Sequence, residues 1–443
     1  MRRAFALGLA TALAAAALAQ PPSPERRAAT EADYRATLAR LGIDSVRPGA
    51  DGFNRNAPNA ANYDEAKAGL TSPLPLLLRA NDGRPVTSAA MWWRVRRPEL
   101  VALFDRDVYG RVPATAPGIR WVLASTERRE KAGIPVVTDH YRGRAGGGKV
   151  DIELDLTLPA AAKRPVPVVM ELGFPEGFHF PGFPIPPKTG PDWMEQVIGR
   201  GWGYAILVPN TIQADDGAGL KEGVIGLASG GRPRANDEWG ALRAWAWGAS
   251  RALDRLRADP RVDGRRVAIE GLSRYGKAAL VTMAYDPRFS IGLIGSSGAG
   301  GAKLMRRNFG ETIGNLDASG EYHWFAPNFL RYDGPLHVDD LPVDAHELIA
   351  LVAPRPVFIG AGTVDHGDGW VDPRGSFEAA RAASPAWRLL GVPGLVGGDS
   401  FPPVGQARDA GRLAYREHED GHTNGPNWPA FLAFAARQWG LDR

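Results

Sequence analysis

Short, uninterrupted apolar runs alternate with helical segments from about residue 90 onward, and this alternation constrains the fold more than any other feature. The predicted buried strands are at 166–172, 203–209, 266–269, 291–295 and 356–360. Runs of this kind are typical of strands that are buried on both faces. Helices are predicted between and after them at 192–200, 236–258, 275–285, 376–383 and 428–439. The sequence therefore predicts an α/β fold with a mostly parallel central sheet and helices on both faces.

The segment ahead of these runs has a different character. Residues 91–109 predict an amphipathic helix, and 118–124 and 150–158 predict strands, the latter with the alternation of a half-buried strand. Residues 20–90 are rich in turns, Pro and charge, so we expect a linker, mobile over 20–35, and then a wrap over the main body. The remaining 91–443 is expected to form one large domain. Asn236 is the expected N-cap of the long helix.

The first 19 residues have the pattern of an export signal. Arg2 and Arg3 precede an apolar run, and Ala17-Leu18-Ala19 is a small-x-small cleavage site. No later apolar stretch approaches a membrane span, so we expect a secreted or periplasmic protein with no membrane attachment after cleavage. The formal net charge is only +4, which argues against nucleic acid as a partner. The chain has no Cys, so disulfides and thiol nucleophiles are excluded.

The most informative stretch is Gly271-Leu-Ser273-Arg274-Tyr-Gly276-Lys277, between a predicted strand and a predicted helix. A serine on a tight strand-to-helix turn is typical of a nucleophile elbow, in which the helix N-terminus points at the hydroxyl. The second glycine is three residues after the serine, whereas the general motif has it two residues after. The same pattern also occurs as an ordinary Gly-Ser turn, so this motif alone leaves both interpretations open.

A serine nucleophile needs a histidine base and an orienting carboxylate, which follow in the order acid then histidine in α/β-hydrolases. Asp368 comes after the last predicted buried strand, and His422 precedes the terminal helix. Each could also be an ordinary loop residue, but together they satisfy both order and placement. A metal site is the competing interpretation, and its candidate ligands are Asp365, His366, Asp368, Asp372, His418 and His422. Their spacing matches no defined metal motif, so neither a metal nor a cofactor is expected.

With these residues assembled, the sequence resembles the glucuronoyl esterases, carbohydrate esterase family fifteen, of bacterial type. The family signature G-x-S-R-x-G-K matches Gly271–Lys277 and accounts for the late second glycine. Further matching segments, in the same order over roughly 90–440, are 239–247, 297–301, 307–312, 323–325, 346–356 and 368–373. The resemblance implies the α/β-hydrolase fold.

The resemblance also implies roles for individual residues. Ser273 would attack the ester carbonyl, and His422 would take its proton. Arg274 would stabilise the oxyanion through its backbone N–H and its guanidinium. The residues implied to bind the sugar are Lys277, Glu311 and Trp370, with His323 bordering the same pocket.

The chain departs from the family at one position. Many members carry the acid of the triad shortly after the strand that follows the nucleophile helix, and Ser296 stands there instead. Some bacterial members use an aspartate two residues before the sugar-stacking tryptophan, which is the position of Asp368 relative to Trp370. We therefore expect Asp368 to be the acid, with Asp365 in reserve.

The expected function is that of an exported serine esterase without metal or cofactor. Its substrates would be esters of (4-O-methyl-)glucuronic acid, such as those that join glucuronoxylan to lignin, and the intermediate would be an acyl-Ser273 ester. One alternative is an acetyl xylan esterase or another carbohydrate esterase. A second alternative, suggested by Ser296, is a carbohydrate-binding relative with impaired catalysis. We expect the protein to be a monomer.

Overall fold

The computed structural model describes residues 23–178 and 190–442. The nine strands within these ranges are β1 Arg120–Lys131, β2 Ile134–Ala145, β3 Val150–Pro159, β4 Val166–Leu172, β5 Gly203–Leu207, β6 Val262–Leu272, β7 Ile291–Gly295, β8 Val357–Gly362 and β9 Leu413–His418. They form one sheet in the order β1-β2-β3-β5-β4-β6-β7-β8-β9. The pairs from β5 to β9 are parallel, whereas β1, β2 and β3 extend the sheet with antiparallel pairs.

The helices cover both faces of this sheet. They are α1 Pro24–Leu41, α2 Arg97–Asp107, α3 Trp193–Gly199, α4 Gly223–Ser229, α5 Ala241–Arg257, α6 Arg274–Tyr285, α7 Ile313–Leu316, α8 Ala345–Ala350, α9 Pro373–Leu389 and α10 Trp428–Trp439. A short helix at Ala89–Met91 and a π-helical segment at Trp92–Arg96 lead directly into α2. The predicted helix at 91–109 is thus one continuous helical stretch with an irregular first part.

The apolar runs form the centre of the sheet because each of their faces has its own core. In β4, Val168 and Met170 belong to the core under α5, α6 and α9, whereas Val169 belongs to a second core under α3 and α10. Both cores exclude water from the strand, and over 166–170 its side chains are apolar on both faces. The predicted fold class, a mostly parallel sheet between two helical layers, is confirmed.

From residue 23, where the described residues begin, the N-terminal region differs from the prediction of a mobile linker at 20–35. Ser23 caps α1, whose side chains Tyr34, Thr37 and Leu41 are buried against the main body. The Tyr34 hydroxyl donates a hydrogen bond to the carbonyl of Asp317 over 2.9 Å. Only three of the 18 residues of this helix are buried. A helix that buries so little needs no continuous apolar stripe, which is the pattern that identifies an amphipathic helix in a sequence. The predicted signal at 1–19 lies outside the described residues.

Residues 42–88 form turns and irregular segments that contact the main body. The Asn315 amide exchanges two hydrogen bonds with the backbone of Ala50, at 2.9 and 3.1 Å. Further along, the carbonyl of Asn62 accepts from the N–H of Gly310. These contacts fasten the segment beside residues 308–315, close to the carboxyl ends of the central strands.

One other prediction needs correction. Asn236 is not the N-cap of the long helix, because α5 begins at Ala241 after Gly240. A Cβ on Gly240 would overlap the carbonyl of Trp324, so close packing against that segment sets where the helix starts. Strands β2 and β9 were not predicted. β2 carries charged side chains at Asp139, His140 and Arg142, which hide its strand pattern.

In the described ranges 23–178 and 190–442, no helix combines the length and apolar character that crossing a membrane requires.

Candidate active site

Ser273 is on a strained turn between β6 and α6. Its φ of 60° and ψ of −131° lie in a region that residues with a side chain rarely adopt, which costs about 1–3 kcal/mol. Two hydrogen bonds hold the turn: the N–H of Ser273 donates to the carbonyl of Gly295, and that of Lys277 donates to the carbonyl of Ser273. The turn therefore presents a half-buried serine at the carboxyl end of β6 and at the start of a helix.

The packing of α6 against the sheet explains the late second glycine of the motif. A Cβ on Gly276 would lie 2.6 Å from the carbonyl oxygen of Gly295 and 3.0 Å from that of Gly271. A Cβ on Gly271 would in turn overlap the carbonyl of Tyr275. Gly276 therefore lets α6 approach the strand ends closely, and Gly271 lets β6 approach the first turn of α6.

His422 and Asp368 meet at the same edge of the sheet, on the loops that follow β9 and β8. The Nδ1–H of His422 donates to Asp368 Oδ1 over 2.6 Å. The imidazole is 43% exposed, whereas the Asp368 side chain has no exposed surface. With Nδ1 engaged, Nε2 is the ring nitrogen that can accept a proton.

Asp368 is held as a carboxylate by three hydrogen bonds. Besides His422, the Oγ–H of Ser296 and the backbone N–H of Gly362 both donate to its Oδ2 over 2.6 Å. Burial raises the pKa of Asp368, but these hydrogen bonds outweigh it and hold the pKa below its usual value. The alternative acid, Asp365, has an exposed side chain.

Ser296 is where the structure adds most to the sequence interpretation. The sequence showed only a missing acid at this position. In the structure, Ser296 is 1% exposed and its hydroxyl is directed at the carboxylate of Asp368. The serine at the end of β7 thus supports a carboxylate that comes from the end of β8.

Arg274 is paired with a residue that the sequence did not single out. Its Nε lies 2.7 Å from Asp215 Oδ2, and about a third of the Arg274 side chain is exposed. Burial raises the pKa of Asp215, but hydrogen bonding to His323 and the charge of Arg274 outweigh it and lower the pKa. Asp215 lies in an Asp-Asp-Gly segment between predicted elements. Such a segment is typical of an exposed turn, so nothing in the sequence indicated its role.

His323 differs from its expected place at the border of a sugar pocket. It has no exposed surface, and its Nε2 lies 3.0 Å from Asp215 Oδ1. The indole N–H of Trp324 donates to the same oxygen over 2.6 Å. His323 therefore contacts the carboxylate that pairs with Arg274.

Lys277 and Glu311 form a buried ion pair one helical turn after Ser273. Lys277 Nζ lies 2.9 Å from Glu311 Oε2 and also donates to the carbonyl of Ala299 over 2.7 Å. The N–H of Ala299 donates to the same Glu311 oxygen over 2.8 Å. Both side chains are only 4% exposed. A buried pair of this kind is already oriented before any ligand arrives.

Trp370 is half-buried and is linked to the Lys277–Glu311 ion pair. Its carbonyl accepts a hydrogen bond from the N–H of Glu311 over 2.8 Å. One edge of its ring packs on the backbone of Gly52, where a Cβ would lie 2.7 Å from the indole. The N-terminal wrap therefore lines this side of the site.

Glu321 interacts electrostatically with the Lys277–Glu311 ion pair, and the sequence did not reveal this residue. Burial, and then the negative charge of Glu311, raise the pKa of Glu321 to about 8, while Lys277 and Arg274 oppose the shift. Its Oε2 is buried and finds no hydrogen-bond partner among the described residues. An unsatisfied carboxyl oxygen between two cations and two other carboxylates is suited to bind a polar group of a ligand.

Within residues 23–178 and 190–442, no group of three or more His, Asp or Glu side chains is arranged to hold a metal ion. Asp365, His366, Asp368 and Asp372, with His418 and His422, were the candidate ligands. Of these, Asp368 binds His422, His418 Nε2 contacts the carbonyl of Thr423, and Asp372 pairs with Arg307.

Comparisons with known proteins give a consistent result. A family model described as fungal glucuronyl esterase matches residues 234–391. The chain is 34% identical to carbohydrate esterase MZ0003 from an unknown prokaryotic organism, over 76% of this chain and 83% of that protein. It is 29% identical to a 4-O-methyl-glucuronoyl methylesterase of Schizophyllum commune, over 73% of this chain and 75% of that protein.

Two solved structures agree with these relatives. A glucuronoyl esterase of carbohydrate esterase family 15 from Teredinibacter turnerae is 45% identical with a TM-score of 0.86, over 93% of this chain and all of that one. A glucuronoyl esterase from Solibacter usitatus is 34% identical with a TM-score of 0.75, over 85% of this chain and all of that one. The chain therefore belongs to the glucuronoyl esterases, carbohydrate esterase family 15, and has their α/β-hydrolase fold.

Proposed function

We propose that this protein hydrolyses esters of (4-O-methyl-)glucuronic acid through an acyl-Ser273 intermediate. The observation that carries the proposal is the His422–Asp368 pair, at the edge of the sheet where the strained Ser273 turn also ends. Relatives named 4-O-methyl-glucuronoyl methylesterases support the choice of ester.

In the first step, His422 Nε2 accepts the proton of the Ser273 hydroxyl as Oγ attacks the ester carbonyl. The buried Asp368 carboxylate stabilises the imidazolium that forms. Arg274 stabilises the negative oxygen of the tetrahedral intermediate, because a charged donor forms a stronger hydrogen bond with an oxyanion than a neutral one. The intermediate collapses when His422 returns the proton to the leaving alcohol.

In the second step, water replaces the alcohol. His422 takes a proton from the water, which attacks the carbonyl of the acyl-Ser273 ester. Collapse of the second tetrahedral intermediate releases the uronic acid and returns the proton to Ser273. Both steps use the same base and the same oxyanion contacts, and neither needs a metal or a cofactor.

The sugar would bind beside the Lys277–Glu311 ion pair, which lies one helical turn beyond Ser273. Lys277 and Glu311 would bond ring hydroxyls, and the exposed part of Trp370 would pack on the pyranose. The carboxyl of Glu321, whose Oε2 has no partner among the described residues, adds a polar group in the same place. His323 would act only through Asp215.

The natural substrate class that fits this chemistry is the ester between glucuronoxylan and lignin alcohols. We propose that the protein reaches it after export to the periplasm or the medium through the leader at 1–19, acts as a monomer, and requires neither nucleic acid nor membrane as a partner.

The test compares benzyl glucuronate with an acetylated xylo-oligosaccharide at matched concentrations. We expect kcat/KM to be higher for the glucuronate ester. Faster hydrolysis of the acetyl ester would replace the proposal with an acetyl xylan esterase. A wild-type rate no higher than that of Ser273→Ala on either ester would instead favour a carbohydrate-binding protein without catalysis.

Replacing Asp215 with asparagine is expected to lower kcat for benzyl glucuronate by about 10-fold, since Arg274 loses its charged partner and its fixed orientation. The matched control is Asp216→Asn. Asp216 is the next residue, but it pairs with Arg26 of α1 at 2.7 Å. We expect kcat of the control to stay within about 2-fold of wild type, because this pair is partly exposed and contributes little. Equal losses in both variants would contradict a specific effect on Arg274.

A further inference from the structure

Asn424 connects the loop that carries His422 to the strand that carries Ser273. It comes two residues after His422, and its side chain is 7% exposed. Its Nδ2–H donates to Glu270 Oε2 over 3.0 Å. Glu270 is near the end of β6, three residues before the nucleophile. The hydrogen bond therefore joins the loop of the proposed base to the strand that ends at the proposed nucleophile.

The same side chain also contacts the neighbouring strand. Its Oδ1 lies against Gly295 at the end of β7, where any Cβ would overlap it. Gly295 is the residue whose carbonyl accepts the N–H of Ser273. Asn424 thus lies between the two strand ends, and both of them hold the nucleophile turn in place.

Glu270 is itself one of a pair of carboxyls. It is 3% exposed, lies directly opposite Glu171 of β4 in the strand register, and is hydrogen-bonded to it. Burial, and then the adjacent Glu171, raise the pKa of Glu270, and burial raises the pKa of Glu171 to about 7. Glu171 also faces Glu176, which is held by Arg129 and Lys131.

Two adjacent buried carboxyls share a proton, because both cannot ionise at such a short separation. A protonated Glu270 can donate to Glu171 with one oxygen and accept from Asn424 with the other. The pair therefore leaves an acceptor in a fixed place under Asn424 without leaving two uncompensated charges in the sheet.

We propose that Asn424 and Glu270 are positioning residues, which hold the His422 loop on β6 so that the base and Ser273 stay in register for proton transfer. This inference rests on the proposed roles of Ser273 and His422. It adds two residues that contact neither the ester nor the sugar but set the distance on which the first step depends.

Asn427 provides a matched control in the same segment. It has no exposed surface, its Oδ1 accepts from Arg416 over 2.8 Å, and its side chain packs on Gly360 of β8. It is thus another buried asparagine that fastens the same stretch of chain, but to β8 and β9. If these asparagines only stabilise the fold, replacing either one should change kcat to the same extent. If Asn424 positions His422 relative to Ser273, only the replacement of Asn424 should lower kcat strongly.

The experiment measures kcat, KM and Tm for Asn424→Ala and Asn427→Ala with benzyl glucuronate. We expect Asn424→Ala to lower kcat by about 10²-fold with KM within about 2-fold, because misplacing a reacting group by about 1 Å costs about that much. Asn427→Ala should lower Tm by a similar amount but keep kcat within about 3-fold. Equal kcat losses in the two variants, or an unchanged kcat in Asn424→Ala, would overturn the proposal.

Substitutions of Glu270 complete the test. Glu270→Gln retains an acceptor for Asn424 and a donor for Glu171, so kcat should remain near wild type. Glu270→Leu removes the acceptor, so it should reproduce the loss in Asn424→Ala, and combining it with Asn424→Ala should cause no further loss. Additive losses in the double variant would show that the two residues act separately.

A second readout separates this inference from the proposed substrate. The rate at which a fluorophosphonate labels Ser273 depends on the base and the nucleophile but not on sugar recognition. If the wild type is labelled but does not hydrolyse glucuronates, the proposed substrate fails, whereas a slower labelling of Asn424→Ala than of Asn427→Ala still supports the positioning role. A wild-type Ser273 that is not labelled would overturn both proposals.

Discussion

Replacing Ser273 with alanine is expected to lower kcat for benzyl glucuronate by about 10⁶-fold, because no other group in the proposed mechanism can form the acyl intermediate. His422→Ala should cause a comparable loss, since the hydroxyl is a weak nucleophile until a base accepts its proton. The double variant should be no slower than either single variant, because the two residues act as a unit. Initial rates with benzyl glucuronate at one pH measure all three losses.

His366→Ala is the control for the histidine substitution. His366 lies on the loop before Asp368, and its exposed ring contacts Thr363 Oγ1 at 2.8 Å. We expect its kcat to remain within about 2-fold of wild type, as is usual for exposed side chains away from the chemistry. An active His422→Ala variant with normal Tm would show that another group is the base.

Asp368→Asn is expected to lower kcat by about 10⁴-fold with little change in the fold. The amide fills the same space, but its NH₂ group donates where the carboxylate accepts, so His422 no longer has Nδ1–H fixed against an anion. Asp365→Asn is the matched control, because this exposed aspartate lies three residues earlier on the same loop. Wild-type activity in Asp368→Asn, or a large loss in Asp365→Asn, would contradict the assignment of the acid.

The pKa of Asp368 adds a test by pH. Because its pKa in the folded protein lies below the usual 3.8, its charged interactions stabilise the fold above that value. This contribution is lost as the pH falls through the lower, folded value. The difference in Tm between wild type and Asp368→Asn should therefore shrink as the pH is lowered below about 4.

The sequence was most informative where local pattern and tertiary burial agree. The strands 166–172 and 291–295 and the helix 428–439 have the predicted bounds, because segments in which apolar side chains predominate leave few other solutions. It was least informative where a residue acts through a distant partner. Asp215 and Arg274 are 59 positions apart, and neither of their surroundings carries a signal of the pair. Asn424 likewise depends on Glu270, 154 residues earlier.

Ser296 shows the same limit in another form. A motif comparison records that the acid is missing there, but it cannot show what the replacement touches. The backbone at Ser296 adopts a φ of 41°, and its hydroxyl reaches the acid supplied by the next strand. The hydroxyl at the position where an acid was expected donates to a carboxylate from the end of the next strand, and only the three-dimensional arrangement reveals this contact.

The packing of the wrap on Trp370 has a practical consequence for engineering. A truncated protein could begin at residue 234, where the match to the family model starts, or near residue 91, where the predicted large domain starts. Either truncation would remove the contact of Gly52 with the indole of Trp370 and the hydrogen bonds of Ala50 with Asn315. Activity screens and crystallisation trials on this protein should therefore retain the chain from at least Ser23.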